Sequence, residues 1–153
     1  MADIDGLQEL QRKLQKLPQK AEAKVIRQAL RKGAKLIQGQ ARKNAKTMIG
    51  GDLGKLTAKW LVVRAGKRQK GVIKMMTALK KGYESSGLLV FNKGDGERHF
   101  LPSVTEYGFR HFGGKQIPGK GWYRSAFETM ARKARTLIMK EMWEGIAAQA
   151  KKK

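Results

Sequence analysis

The chain has 153 residues, the length of one compact domain, and carries 34 Lys plus Arg against 12 Asp plus Glu, a formal net charge of +22. It contains no cysteine, which excludes a disulfide framework and any thiolate nucleophile or metal ligand. No run approaches the roughly 18 consecutive apolar residues of a membrane span, and an N-terminus with Asp3 and Asp5 and no apolar segment is not a signal peptide; a soluble protein made in the cytosol, with no membrane partner, is expected.

The first predicted element is a helix from about Asp5 to Leu17, with Ile4, Leu7, Leu10, Leu14 and Leu17 as its apolar stripe and Asp5 with Gln8 as its cap. Pro18 ends it and, being well tolerated in a first helical turn, opens a second helix that reaches about Lys46. The apolar face of that helix holds Ala23, Ile26, Leu30, Gly33, Ile37 and Ala41, widened by Val25, Ala29 and Leu36. Small residues at Ala29, Gly33 and Ala34 allow another backbone to come close. The opposite face, with Lys20, Lys24, Arg27, Arg31, Lys35 and Arg42, reads as solvated cation or as a contact for an acidic partner.

Glycines break the pattern from Thr47 to Gly54, which reads as a loop. Trp60 to Ala65 is a strand by its aromatic and β-branched content. The stretch 64–82 is a short helix or an exposed basic flap, in which Lys67, Arg68, Lys70, Lys74, Lys80 and Lys81 surround Val72, Ile73, Met75, Met76 and Leu79. Gly87 to Phe91 is a second strand, Asn92 to Gly96 a turn, and Phe100 to Val104 a third strand leading to Glu106-Tyr107-Gly108. After a loop rich in glycine and lysine comes a helix from Ala126 to Ala150, about 37 Å long. Its stripe is Phe127, Met130, Ala134, Leu137, Ile138 and Met142, and Ser125 with Glu128 forms a capping box at its start. Residues 147–153 form a frayed basic tail. The expected fold is α+β: one domain over 1–153, with two N-terminal helices and a long C-terminal helix packed on an antiparallel sheet of three to four strands.

Little in the chain suggests catalysis. Gly114 to Gly121 fits Gly-x-x-x-x-Gly-Lys, but the position that needs a Mg²⁺-binding hydroxyl is Gly121, and Pro118 removes a backbone N–H that phosphate would use. His99 and His111 are the only histidines, too few donors for a metal site. Neither an enzyme nor a cofactor is expected. Glu106, in so basic a chain, is expected to pair with a Lys or Arg of its own or an adjacent subunit. Trp122, Tyr123 and Trp143 invite an interface reading, because aromatics with Arg dominate interface energetics.

Glu106-Tyr107-Gly108, a Pro-containing loop, an aromatic, Arg124, Ala126 and a long terminal helix together resemble the HK97 gp10-like family of phage tail completion, or head–tail joining, proteins. A short Leu-rich helix, a longer Lys/Arg-rich helix and the Gly51-Asp52-Leu53 step agree with it. The prolines of the family's signature near Trp122 are missing, and the likeness fades between Lys55 and Gly87. The resemblance implies a structural virion protein of the neck, made in the host bacterial cytoplasm. It implies a homo-oligomeric ring of six copies at the head-proximal end of the tail, in contact with tail tube or terminator subunits and with the head connector. On this reading Glu106, Tyr107, Arg110, Lys115, Lys120, Trp122, Arg124 and Trp143 meet neighbouring subunits, and Lys67, Arg68, Lys70, Lys74, Lys80 and Lys81 form a basic contact loop.

The positive charge would steer such a ring to acidic protein surfaces or make non-specific contact with genomic DNA. The alternative is a small basic protein that coats or compacts nucleic acid. The charge is spread evenly: residues 1–50 carry 12 basic and 4 acidic side chains, 51–100 carry 11 and 4, and 101–153 carry 11 and 4. An even coat with no reading motif argues against a sequence-specific reader.

Overall fold

The structure is a computed structural model that describes residues 4–67, 69–91, 98–110 and 114–151. Arg68, the turn expected at 92–96 and His111 lie outside those residues.

Helix α1 (Ile4–Gln15) and helix α2 (Gln19–Asn44) flank Pro18, whose extended backbone (ψ 137°) breaks the first and whose carbonyl accepts from the N–H of Ala21 and Glu22 to start the second. Leu10 and Leu14 are buried, whereas Leu7, expected on the same stripe, is 55% exposed. Helix α1 touches the body along one edge only. At its far end α2 passes into a π-helical turn, Ala45–Ile49, which stops at Gly50 with φ 76°.

A third helix, α3 (Gly51–Trp60), takes the second half of the stretch 47–54 expected to be a loop, and the π-helical turn takes 47–49. Its glycines mark proximity rather than a break. A Cβ at buried Gly54 would run into the backbone carbonyl of Ala45 and lie 3.3 Å from Cα of Lys46, so only glycine lets α3 settle on the π-helical turn.

Strand β1 (Leu61–Ala65) follows without a linker and pairs antiparallel with β2 (Met75–Leu79), in register from Leu61 opposite Leu79 to Ala65 opposite Met75. The stretch 64–82 is therefore mostly a hairpin; its described residues hold no α-helix, and its Lys-rich tip is closed by the Val72 N–H donating to the Gln69 carbonyl. A 3₁₀ turn (Tyr83–Ser86) leads to β3 (Leu89–Phe91), which pairs antiparallel with β4 (Arg98–Phe100).

The third expected strand is replaced by helix α4 (Leu101–Tyr107). Pro102 sits in its first turn, where a missing N–H costs nothing, and Gly108 ends it at φ 83°. Strands β5 (Gly108–Arg110) and β6 (Gln116–Pro118) form a third antiparallel pair within the expected loop. The α+β class holds, with the strands divided into three two-stranded sheets. Helices stand before, between and after the hairpins, so each strand pairs only with its neighbour in sequence.

Helix α5 (Trp122–Ala150) begins four residues earlier than expected and includes 147–150, the first four residues of the expected basic tail. Its buried side is Trp122, Ala126 and Ala134, flanked by half-buried Met130, Ile138 and Met142. Phe127, expected to lead that stripe, is 50% exposed.

Helices α2 and α5 pack antiparallel and form the spine. Gly33 faces Ala134 and Ile138, and Gly145 faces Val25, which carries through the close approach expected at Gly33. At one end of the spine Ala41, Ala45, Ala58, Leu61, Trp122 and Ala126 form a core; at the other, Leu10, Leu14 and Val25 pack with Leu17, Ile26, Met142, Trp143 and Ile146. Lys32 of α2 reaches Glu141 of α5 at 2.6 Å between the two.

Candidate functional site

A cluster of main-chain and carboxylate hydrogen bonds joins the end of α4 to the start of α5. Helix α5 begins at Gly121, a left-handed residue (φ 57°) with no side chain to cap the free N–H groups of the first turn. Glu106 supplies the cap from α4: its Oε2 accepts from the Tyr123 N–H at 2.7 Å and its Oε1 from the Arg124 N–H at 2.9 Å. An anion held by two N–H groups at the positive end of a helix is a favourable arrangement.

The return stitches run the other way. The carbonyls of Thr105 and Glu106, left unpaired where α4 ends, accept from the N–H of Lys120 (2.8 Å) and Gly121 (3.1 Å). The indole N–H of Trp122 donates to the Pro102 carbonyl at 3.4 Å.

The arrangement corrects three expectations. Glu106 is buried, and its partners among the described residues are backbone amides, with no Lys or Arg of its own chain beside it there. The Ser125–Glu128 capping box is not formed: the Ser125 N–H makes an ordinary helical bond to the Gly121 carbonyl, because the helix has already begun. Trp122 is 4% exposed and fills the core, so its ring is not available to a neighbouring subunit.

What the junction holds outward is the β5–β6 hairpin. Gly108 and Gly119 cross so closely that a Cβ on Gly108 would lie 2.6 Å from the Gly119 nitrogen, which seats the hairpin base directly on the end of α4. Tyr107 at that base is 70% exposed. Phe109, Arg110, Lys115, Lys120 and Arg124 are exposed around it. Arg110, Lys115 and Arg124 have no ion-pair partner among the described residues, and the ammonium of Lys120 reaches only the Ile49 carbonyl, at 3.4 Å. Two exposed aromatics absent from the expected set, Phe109 and Phe127, belong to this end of the molecule. Their exposure had no signature in the sequence, where Phe127 reads as an apolar position of the α5 stripe and Phe109 falls in the expected loop.

The Gly-x-x-x-x-Gly-Lys stretch does not make a phosphate cradle. Residues 116–118 are strand β6, and the helix N-terminus that a phosphate would need already holds the Glu106 carboxylate.

Trp143 lies away from this junction, half-buried in the α1–α2–α5 cluster with the Lys13 ammonium 4.7 Å above its ring. That contact is a cation–π pair inside the subunit. Lys67, Lys70, Lys74, Lys80 and Lys81 are all exposed on or beside the β1–β2 hairpin, with Lys74 donating to the Gln69 side chain at 2.6 Å. Arg42 lies on the basic side of α2 but is half-buried there, its guanidinium donating to the Leu61 carbonyl at 2.6 Å and fastening α2 to β1. Among the described residues no group of three His, Asp or Glu side chains could hold a metal, and no helix is long and apolar enough to cross a membrane.

Fold and surface define a small, strongly basic α+β protein whose exposed side chains are suited to binding other molecules. Residues 8–108, from α1 to the end of α4, match the family described as "Bacteriophage HK97-gp10, putative tail-component", and the chain belongs to this HK97 gp10-like family. No curated protein and no solved structure matches the chain.

Proposed function

We propose that the protein is a ring subunit that completes the head-proximal end of a phage tail and joins it to the head connector, acting by binding alone and without a catalytic step. Membership of a tail-component family carries this reading. It is supported by the β5–β6 hairpin, which presents Tyr107, Phe109 and Arg110 to solvent from a base braced by Glu106. A rigid base holding exposed aromatic and guanidinium groups is the composition expected at the centre of a subunit contact.

In this reading Tyr107, Arg110, Lys115, Lys120 and Arg124 meet the adjacent copy in a six-membered ring. Glu106 and Trp122 position the hairpin that makes the contact, and Trp143 holds α1 in place. The remaining charge speeds encounter with acidic surfaces of tail or connector subunits and loses its effect as salt is raised. The mature protein then resides in the virion neck.

The test is electron microscopy of lysates from a phage deleted for this chain. Full heads and complete tails lying unjoined side by side are the expected result. Normal, joined particles would overturn the proposal.

A further inference from the structure

Five cations line one side of α2. Lys20, Lys24, Arg27, Arg31 and Lys35 recur at steps of three and four residues and are all exposed. None of them makes an ion pair among the described residues. Nearby Lys32, by contrast, is committed to Glu141. The single acid of α2, Glu22, stands about 200° around the helix from Lys20 and so faces away from the row. Over the 15 residues from Lys20 to Lys35 the row is about 22 Å long.

The β1–β2 hairpin turns this row into a groove. Gln38 and Arg42, farther along the same side of α2, donate to the Leu61 carbonyl at 2.7 and 2.6 Å and so fix the start of β1 there. At the other end of the hairpin Met75, opposite Ala65, shares a depression of about 210 Å³ with Lys24, Arg27, Gln28 and Arg31. The hairpin therefore runs back along α2 toward its N-terminus, and the tip that carries Lys67, Lys70 and Lys74 follows directly beyond Met75. Met75 thus brings the hairpin, far from α2 in sequence, to the edge of the cation row.

We propose that this α2–hairpin groove binds the phosphate backbone of duplex DNA without reading bases. A duplex presents one negative charge per roughly 1.7 Å of its axis, an array that a 22 Å row of cations with no ion pair among the described residues can track. A single strand would call for aromatic platforms, and none lines the groove. A protein partner would call for an apolar centre, and the groove offers only Met75. The proposal does not depend on the joining role.

The experiment is a fluorescence-anisotropy titration of a labelled random-sequence duplex of about 20 base pairs with the full chain, between 50 and 200 mM salt, where such contacts show their salt dependence. Neutralising phosphates with the five α2 cations predicts a fall in affinity of about 500-fold or more across that range. The Lys24→Gln/Arg27→Gln/Arg31→Gln variant, checked for unchanged helical content by circular dichroism, should flatten the log–log salt slope by about 3. An Arg132→Gln/Lys133→Gln/Arg135→Gln variant on exposed α5 positions should leave the slope unchanged. Equal losses in the two variants would overturn the proposal in favour of a non-specific coat. Tighter binding of poly-glutamate than of duplex, with the same sensitivity to the α2 substitutions, would overturn it in favour of an acidic protein.

Discussion

Asn44, the last residue of α2, donates its side-chain N–H to the main-chain carbonyl of Trp122, the first residue of α5, at 2.9 Å. Gln40 in turn donates to the Asn44 Oδ1 at 2.9 Å, so a buried amide ties the ends of the two longest helices together and is satisfied on both of its atoms. Asn44→Ala should cost about 1–3 kcal/mol in urea unfolding, because the bond is lost and its buried partners are left with poorer ones. A change within experimental error would mean that water replaces the amide freely.

Removing the Glu106 carboxylate should loosen α5 from its N-terminal end. Glu106→Ala is expected to destabilise by about 2 kcal/mol, in the range of a lost helix cap with charge-assisted bonds. Glu106→Gln, which keeps an acceptor oxygen, should recover part of that. Amide exchange at Tyr123 and Arg124 should quicken in both variants. Were the residue acting through an ion pair instead, Gln would be as damaging as Ala and those two amides would be unaffected.

Two glycines should respond with opposite signs. At Gly119 a methyl group would meet the carbonyl of Glu106 and the main chain of Tyr107 and Gly108, none of which can swing aside; Gly119→Ala should cost about 3 kcal/mol. Gly39, exposed within α2, has nothing within 4 Å of the point where a methyl group would sit. Gly39→Ala should therefore stabilise by about 0.5–1 kcal/mol through helix propensity. Thermal melts of the pair separate steric crowding from backbone entropy.

Tyr107 and Arg110 offer a test of assembly that spares the fold. Both are exposed, so Tyr107→Ser with Arg110→Ser should move the unfolding free energy by no more than about 0.5 kcal/mol. On the proposed ring assembly, the parent should sediment as an oligomer in analytical ultracentrifugation and the same variant as a monomer. Rings that survive the double substitution would move the subunit contact elsewhere.

Much of the helical frame could be read from the sequence, since α1, α2 and the body of α5 announce themselves by apolar spacing and Pro18 marks a boundary. Strands β1 and β3 were legible from Leu61-Val62-Val63 and Leu89-Val90-Phe91. The misreadings have local causes. Phe100 to Val104 mixes aromatic, aliphatic and β-branched residues that suit a strand, yet Pro102 and Gly108 are start and stop signals of a short helix. Glycines at 50, 51 and 54 suggested a loop because the nearness of Ala45, which makes Gly54 necessary, is a tertiary fact. The start of α5 was hidden for a similar reason: its cap comes from Glu106, 17 residues upstream of the first amide it binds. At the proposed contact, Tyr107 and Arg110 were identifiable by type. That Glu106 and Trp122 serve from inside could not be read without the fold.

The stitched junction also has a mechanical meaning. Glu106, the Thr105 and Glu106 carbonyls and the Gly108–Gly119 crossing leave the β5–β6 hairpin no slack against a shaft of 29 helical residues, about 44 Å long. The same helix carries, at the far end of the spine, Trp143 and Met142 packed with Leu10 and Leu14, so one continuous element joins the hairpin base to the α1 cluster.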